Sequence, residues 1–260
     1  MNLSNNTILI TGGGGGIGWE LAKQLHARGN RIVITGRDAG KLQKAEKALP
    51  GLRAIQSDVA EPKEIESLYA RVAKEFPETN VLINNAGIMR RLNLHGAGSD
   101  LKELTREIEI NLNGTIRMTA KFLPHLKSKP TAAIVNISSA LAFVPLPTSP
   151  VYCATKAALH SFTQSLRVQL KLTRVKVFEL APPATETEMV TSGNPEDYEG
   201  ASIMKVDAMV AAALKGFEAD RFEIRPGQSN QLKFMSRLAP EFILKQLSRP
   251  VDRMLAEMKG

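Results

Sequence analysis

The sequence contains a single cysteine, Cys153, among its 260 residues. One cysteine excludes a disulfide framework and is typical of a reducing compartment. No apolar run approaches the ~20 residues that cross a bilayer, and residues 1–6 lack the basic region and apolar stretch of a signal peptide. We therefore expect a cytoplasmic protein without a membrane span.

Aromatic residues are also scarce, at 5%, and this bears on the positive charge of the chain. The net charge is +8 and the pI is about 9.6, values that are compatible with nucleic acid binding. The basic residues are scattered and mixed with acids, however, and no basic stripe alternates with aromatics. We interpret the charge as a solvated basic surface, and we expect neither nucleic acid binding nor membrane contact.

Histidine is rare too, with four residues in the chain. His125 and His160 fall in predicted helices and do not have the spacing of metal ligands. We expect no metal site.

Short apolar runs alternate with amphipathic segments along most of the chain. A chain of this length can bury one sizeable core, and such alternation favours a parallel sheet covered by helices on both faces. Right-handed crossovers then give a three-layer, doubly wound (Rossmann-like) α/β domain, with ligands at the carboxyl ends of the strands. The predicted strands are 7–10, 31–35, 52–55, 80–83, 132–137 and 175–180, and the predicted helices lie near 17–28, 39–48, 61–75, 100–127 and 150–171.

We predict one catalytic domain, 1–227, followed by a helical extension, 228–260. The extension carries apolar residues on short helices broken by Pro240 and Pro250, with six basic residues against three acidic ones. It could cover a substrate cleft, pack on a sister subunit or touch an anionic membrane. Packing on its own domain or on a sister subunit is the favoured interpretation.

A glycine-rich segment joins the first strand to the first helix. Without Cβ atoms this backbone can turn sharply and approach a pyrophosphate, whose charge then lies at the helix N-terminus. The position between a strand and a helix predicts dinucleotide binding. Two registers fit the five consecutive glycines, one using Gly13, Gly15 and Gly18 and the other Gly12, Gly16 and Gly18.

The end of the second strand bears on which dinucleotide is bound. A protein that binds the unphosphorylated ribose usually has an acidic residue here, but this chain has Gly36 followed by Arg37 and Asp38. Gly36 offers no carboxylate, and Arg37 could pair a 2′-phosphate bidentately. We favour NADP(H) over NAD(H), although Asp38 keeps NAD(H) open.

Tyr152 and Lys156 are four residues apart, so on a helix they share one face. A free phenol has a pKa of about 10 and is a poor proton shuttle at neutral pH. An ammonium about 4 Å away supplies on the order of 4 kcal/mol at an effective dielectric constant near 20. We therefore expect Lys156 to lower the pKa of Tyr152 into a useful range, less the opposing effect of desolvation.

Together these motifs resemble the short-chain dehydrogenase/reductase family, in its short single-domain form, over roughly residues 5–225. Each motif alone is weak, but their order and spacing are highly specific. The matching segments are Thr11-Gly12-x-x-x-Gly16-x-Gly18, Asp58-Val59, Asn84-Asn85-Ala86-Gly87, Asn111, Ile137-Ser138-Ser139 and Tyr152-x-x-x-Lys156.

The resemblance implies a catalytic group of Ser139, Tyr152, Lys156 and Asn111. Ser139, in preference to Ser138, would hydrogen-bond the reacting carbonyl oxygen, and Tyr152 would give or take the proton. Lys156 would bind the ribose hydroxyls and depress the tyrosine pKa, while Asn111 would hold a water that links Lys156 to solvent.

The resemblance also implies a set of cofactor contacts. Asp58 and Val59 would meet the adenine, and the residues after the fourth strand would line the cofactor. The family usually has Pro-Gly after the sixth strand, whereas this chain has Pro182-Pro183; Pro183 removes an N–H donor and fixes φ near −65°. Thr187 is expected at the nicotinamide carboxamide, with Thr185 as the rival. The full predicted set is Gly12, Gly16, Ile17, Gly18, Arg37, Asp58, Val59, Asn85, Ala86, Gly87, Tyr152, Lys156, Pro182 and Thr187.

The expected function is an oxidoreductase that interconverts a carbonyl and an alcohol by hydride transfer. The segment 140–147 with Met89 and Met189 suggests an apolar or mixed substrate. Arg90 and Arg91 could rim the cleft and draw an anionic group, although a solvated arginine pair is the favoured interpretation. The alternative is a nucleotide-binding redox sensor with little catalysis. Apolar faces near 100–127 and 150–171 favour a homodimer or homotetramer, although the same faces must also cover the sheet.

Overall fold

One parallel sheet forms the centre of the protein. The computed structural model describes residues 1–95 and 100–257, and within them seven strands pair in the order β3-β2-β1-β4-β5-β6-β7. The predicted doubly wound parallel sheet is confirmed, and the six predicted strands differ from the observed ones by at most one residue at either end. The strands are β1 (Thr7–Thr11), β2 (Arg31–Gly36), β3 (Arg53–Gln56), β4 (Thr79–Asn84), β5 (Ala132–Ile137), β6 (Val175–Leu180) and β7 (Glu223–Ile224). The sequence does not predict β7, because two residues are too few to give an alternating pattern.

The described residues form ten α-helices. The long helical region expected over 100–127 is divided into a short helix, a π-helical turn at Ile108–Asn113 and a longer helix. The Asp100 carboxylate caps the short helix by accepting from Lys102 N and Glu103 N. The helices are α1 (Gly16–His26), α2 (Ala39–Ala48), α3 (Pro62–Glu75), α4 (Leu101–Leu104), α5 (Gly114–Lys127), α6 (Pro150–Gln169), α7 (Glu188–Thr191), α8 (Val206–Glu218), α9 (Ser229–Leu238) and α10 (Pro240–Glu257).

Helices cover both faces of the sheet and give the predicted three layers. Successive side chains of a strand point to opposite faces, so Ile8 and Ile10 of β1 pack under α1, α2 and α8. Leu9, between them, packs with α3, α5 and α6. The apolar stripes of α5 and α6, including Phe122 and Leu166, are buried against this second face.

The strand order reverses between β1 and β4. In open parallel sheets such a reversal leaves a crevice at the carboxyl ends of the strands, where ligands bind. The glycine turn follows β1 and Asn85 follows β4, so the topology brings these two predicted cofactor segments to the same crevice.

The C-terminal extension packs on the domain that precedes it. Lys233 of α9 is buried, forms an ion pair with Glu223 and lies 4.8 Å from the centre of the Phe143 ring. Leu247 of α10 packs against a small apolar cluster that contains Tyr152. Residues 258–260 of the predicted extension lie outside the described residues. Among those described, no helix has both the length and the apolarity of a bilayer span.

Candidate active site

A cleft of about 720 Å³ opens at the carboxyl ends of the strands. Its lining runs from the glycine turn, past Ser139, Tyr152 and Lys156, to Leu232 and Leu247 of the C-terminal helices. Three of the four predicted catalytic residues, Ser139, Tyr152 and Lys156, therefore line the same cleft as most of the predicted cofactor residues.

The backbone of the glycine turn selects one of the two registers. Gly12 and Gly16 have φ of +63° and +52°, a region that favours glycine. A Cβ on Gly18 would lie 2.4 Å from both Asn85 Nδ2 and Gly12 O, whereas a Cβ on Gly15 would meet nothing within 4 Å. A Cβ on Gly13 would also clash, 2.5 Å from Ile34 Cγ2, so the open space at Gly15 and the positive φ at Gly12 and Gly16 are what favour the register with Gly12, Gly16 and Gly18.

Hydrogen bonds join the glycine turn to the end of β4. The Thr11 hydroxyl accepts from Asn85 N and Ala86 N, both at 3.0 Å. Asn85 Nδ2 in turn donates to Thr11 O and Gly12 O at 3.0 Å each. The side chains of Thr11 and Asn85 thereby join the two sides of the crevice, and Asn85 also lines it.

The end of β2 presents both Arg37 and Asp38 to the cleft, and Asp38 also caps α2. The Asp38 carboxylate accepts from Lys41 N, and this hydrogen bond lowers the pKa of the carboxyl. Arg37 lies 3.8 Å from Asp58 and is half-exposed. Asp58 lies in an adjoining depression shared with Arg37.

Three predicted cofactor residues do not line the cleft: Gly18, Asp58 and Val59. The side chain of Val59 is buried, and a Cβ on Gly114 of α5 would lie 2.9 Å from it. Its predicted contact with adenine would have to come from its backbone. Sequence spacing could not foresee this, because the packing of α5 on this loop decides where the side chain points.

Tyr152 and Lys156 are both buried, with 7% and 4% of their surfaces exposed. Lys156 Nζ lies 5.6 Å from the centre of the Tyr152 ring and donates to Ile137 O at 2.8 Å. Burial lowers the pKa of Lys156 to about 8. Burial also raises the pKa of Tyr152, while a hydrogen bond with the Ser139 side chain acts in the opposite direction. The Tyr152 pKa is therefore raised rather than lowered as the sequence predicted, because burial disfavours the charged phenolate.

The two consecutive serines after β5 have different surroundings. The Ser138 hydroxyl donates to the buried Glu179 carboxylate at 2.6 Å. The Ser139 hydroxyl accepts from Leu141 N at 3.1 Å and interacts with the Tyr152 phenol. Ser139 is thus the serine whose hydroxyl adjoins the tyrosine, as the resemblance implies.

Glu179 also contacts His160 of α6. His160 Nδ1 lies 2.8 Å from Glu179 Oε2, and ligand atoms of His160, Glu179 and Glu223 fall within 4.8 Å of one another. Lys233 and Arg225 already supply positive charge to Glu223. We assign this group no metal.

Asn111 lies in the π-helical turn and holds the segment after β4. Its Oδ1 accepts from Ile88 N and its Nδ2 donates to Ile88 O, both at 2.9 Å. Nδ2 also reaches Thr155 Oγ1 at 3.2 Å. A Cβ on Gly87 would lie 3.3 Å from Asn111 Oδ1 and 3.6 Å from Lys156 Nζ, so the two side chains flank this glycine.

The segment after β6 crosses in front of the glycine turn. Pro182 O accepts from Ala140 N at 2.8 Å, next to Ser139. The Thr185 hydroxyl is buried and donates to Pro183 O, whereas Thr187 lies beside Gly16. Of the two rival threonines, Thr187 has its side chain nearer the turn.

The arginines expected at the rim are held by carboxylates instead. Arg90 lies 3.5 Å from both Glu103 and Glu107, and Arg91 lies 3.9 Å from Glu196. Neither arginine lines the cleft. The expectation that they draw an anionic group loses its support, because partners distant in sequence already engage them.

Several residues at the substrate end were missed by the sequence analysis. Asp197 and Tyr198 line the cleft together with Gln228 of the extension, and Asp197 Oδ1 is buried without a hydrogen-bond partner among the described residues. Across the cleft, Lys41 pairs with Glu188. Glu107 is fully buried, and its charge raises the pKa of Tyr152 and Cys153. Of these residues, only Glu107 could have been identified from the local sequence, because it lies four residues before Asn111 and so on the same helical face.

Comparison with known proteins gives a consistent likeness. The family model described as short chain dehydrogenase matches residues 6–197. The protein named "Uncharacterized oxidoreductase DltE" of Bacillus subtilis (strain 168) is 40% identical over 250 residues, 95% of this chain and 98% of that protein. A short chain dehydrogenase of Burkholderia cenocepacia J2315 in complex with NADP has a TM-score of 0.81 at 27% identity, covering 95% of this chain and 99% of that one. A 3-ketoacyl-(acyl-carrier-protein) reductase of Brucella melitensis complexed with NADH has a TM-score of 0.79 at 26% identity, covering 88% and 100%.

Gly18→Ala tests the packing of the glycine turn. The added Cβ would lie 2.4 Å from Asn85 Nδ2 and Gly12 O, so we expect a loss of about 1–3 kcal/mol in the free energy of unfolding. Gly15→Ala is the matched control, because its Cβ meets open space. Denaturant unfolding measures both variants, and equal stability of the two would contradict the close approach of Gly18 to Asn85 and Gly12.

The pKa of Lys156 can be measured directly in the free protein. Burial places it at about 8, so the ammonium should lose its proton well below the ordinary lysine value of about 10.4. NMR titration of labelled lysines follows this, and Lys156→Met identifies the resonance. A Lys156 signal that titrates with the surface lysines would show that the amine is not buried as described.

Proposed function

The chain belongs to the short chain dehydrogenase family, and we propose that it interconverts a carbonyl and an alcohol with a nicotinamide dinucleotide. The family expected from the motifs is confirmed, and the chain is an oxidoreductase of that family. The observation that carries the proposal is the meeting of Tyr152, Lys156 and Ser139 in the cleft that begins at the glycine turn. The close approaches at Gly12 and Gly18 leave no room for side chains and suit a pyrophosphate.

The proposed division of labour follows from the positions of the side chains. The nicotinamide supplies or takes the hydride when bound. In the reducing direction, the Ser139 hydroxyl stabilises the carbonyl oxygen and the Tyr152 phenol donates a proton to it, which yields the alcohol. In the oxidising direction the same phenol, ionised, accepts the proton from the alcohol. Lys156 is proposed to hold the ribose hydroxyls, and Asn111 to hold a water between Lys156 and solvent.

The raised pKa of Tyr152 gives the nucleotide a second role in this proposal. In the chain by itself, burial raises the pKa of the phenol and keeps it protonated. An oxidised nicotinamide ring carries a positive charge, and such a charge near a buried phenol favours the phenolate. We propose that nucleotide binding brings the phenol into its working range.

For the cofactor we propose NADP(H) in preference to NAD(H). Arg37 lines the cleft at the end of β2, and the Asp58 carboxylate lies 3.8 Å from its guanidinium. Asp38, the acidic residue that would favour NAD(H), is engaged as the cap of α2. A bidentate guanidinium suits a 2′-phosphate.

For the substrate we propose a neutral, mainly apolar aldehyde or ketone, or the matching alcohol. Among the described residues, no arginine lines the proposed substrate end of the cleft, and Asp197 adds a negative charge there. Both features disfavour a carboxylate. Apolar side chains form most of the wall, including two from the C-terminal extension, which is proposed to roof the pocket; they are Met89, Leu141, Leu146, Met189, Leu232 and Leu247.

The remaining expectations stay predictions. The redox-sensor alternative is disfavoured, since a sensor has no need of the Ser139, Tyr152 and Lys156 group. A homodimer or homotetramer would use the parts of α5 and α6 that the sheet leaves half-buried, such as Ile116 and Phe162. The cytoplasmic location still rests on the sequence alone.

Tyr152→Phe tests the proposed function. Removing the phenolic hydroxyl takes away the proton donor, and we expect turnover to fall by about 10²- to 10⁴-fold while nucleotide binding persists. Turnover is followed by the absorbance of the reduced nicotinamide across a panel of apolar ketones and aldehydes. Tyr198→Phe is the matched control, because its phenol lines the same cleft, and it should affect mainly KM. Near-normal turnover in Tyr152→Phe would refute the proposal.

Arg37→Ala tests the cofactor preference. Loss of a charged contact to the 2′-phosphate costs about 1.5–3 kcal/mol, which is about ten- to a hundredfold in affinity. We expect that loss for NADPH with little change for NADH. Arg28→Ala, which breaks a pair with Glu218 beyond the far end of α1, is the control. Equal losses for NADPH and NADH would contradict the assignment.

A further inference from the structure

Glu107 is a fully buried carboxylate next to the active site, at the start of the π-helical turn. Its Oε1 accepts from Arg90 N at 2.9 Å, and its Oε2 lies 3.5 Å from the Arg90 guanidinium. Oε2 has no hydrogen-bond partner among the described residues. A buried, incompletely bonded carboxylate is costly, even when an arginine is close. We therefore expect the Glu107 carboxylate to have a role beyond packing.

The first part of that role lies in the backbone that Glu107 holds. Glu107 and Asn111 are one turn apart on the same helical face, and both bind the segment that follows β4. Asn111 bonds Ile88 N and Ile88 O, and Glu107 bonds Arg90 N. Met89, between these two anchored residues, lines the cleft and packs with the Tyr152 cluster.

The second part is electrostatic. The π-helical turn packs on α6, and the Glu107 carboxylate disfavours ionisation of Tyr152 and Cys153 of that helix. The other titratable groups that face the Tyr152 phenol are Lys156 and Cys153 on α6 and Tyr198 on the opposite wall. Glu107 itself faces Arg90, which in turn contacts Glu103.

We propose that Glu107 is a positioning residue of the active site, which anchors the Met89 wall of the cleft and supplies a fixed negative charge to the surroundings of the Tyr152 phenol. The inference rests on the proposed function, since it concerns the ionisation of the proposed proton donor.

The Glu107→Gln substitution removes the negative charge of residue 107 but keeps its hydrogen bond with the backbone of Arg90. The glutamine Oε1 can still accept from Arg90 N, so the wall stays in place while the negative charge is lost. A nearby negative charge disfavours the phenolate, and its removal therefore moves the ionisation of Tyr152 to lower pH. In the reducing direction, the alkaline fall of kcat should move to lower pH by about half a unit or more, with little change in KM.

Two further variants serve as controls. Glu103→Gln removes the exposed carboxylate that contacts the same arginine, and it should leave the pH profile unchanged. Glu107→Asp keeps the charge and should keep the alkaline fall near its original pH. If Glu107→Gln does not fold, the double variant with Arg90→Met takes its place, because it leaves no unpaired guanidinium. A smaller shift in the same direction is expected there, because the positive charge of Arg90 is lost together with the carboxylate.

A folded Glu107→Gln protein with an unchanged pH profile would overturn the inference, and so would an equal shift in Glu103→Gln. Neither result would affect the proposed function, which stands or falls on Tyr152→Phe. If Tyr152→Phe keeps its turnover, the proposed function itself fails, whatever the profile of Glu107→Gln.

Discussion

The hydrogen bond from the buried Lys156 ammonium to Ile137 O is the interaction on which the active site depends. At 2.8 Å it fastens α6 to the end of β5, so that Tyr152, one turn earlier, lies beside Ser139. The same burial has a cost, since it disfavours both charged forms and leaves the phenol harder to ionise and the amine easier to deprotonate. In the chain by itself this Tyr–Lys pair is therefore held in place without the charge that would favour the phenolate, and we propose that the bound nucleotide supplies that charge.

Sheet topology explains how residues far apart in sequence reach this pair. The reversal of strand order between β1 and β4 opens the crevice, and Thr11 and Asn85 tie its two sides together. The glycine turn leaves its backbone accessible at one end, and the C-terminal helices close the other with Leu232 and Leu247. Residues at the rigid ends of the strands thus line one part of the cleft, and the two C-terminal helices cover the other part. In the proposed function, the positions of Ser139 and Tyr152 would therefore not depend on the substrate that the C-terminal helices select.

Local patterns in the sequence predicted much of this, and long-range contacts explain the rest. The strand bounds, the glycine turn and the spacing of Tyr152 and Lys156 are local, so they were foreseen. The direction of the Tyr152 pKa was not, because it depends on a burial to which Leu247, almost a hundred residues away, contributes. Arg90 was interpreted as a solvated side chain or, less favourably, as a substrate contact, but it pairs with Glu107 and Glu103. Val59 was expected at the adenine, but the packing of α5 turns its side chain inward. In each case the deciding partner comes from an element that local periodicity cannot locate.

The central claim is that the protein places the phenol while the bound nucleotide makes it reactive. Ultraviolet difference titration of the phenol measures this most directly, with Tyr152→Phe subtracted to isolate the single residue. In the free protein Tyr152 should ionise above the ordinary phenol value of about 10, and with saturating oxidised nucleotide it should ionise at least about one unit lower. A phenol that titrates at the same pH with and without the nucleotide, or near neutrality in the free protein, would contradict the account.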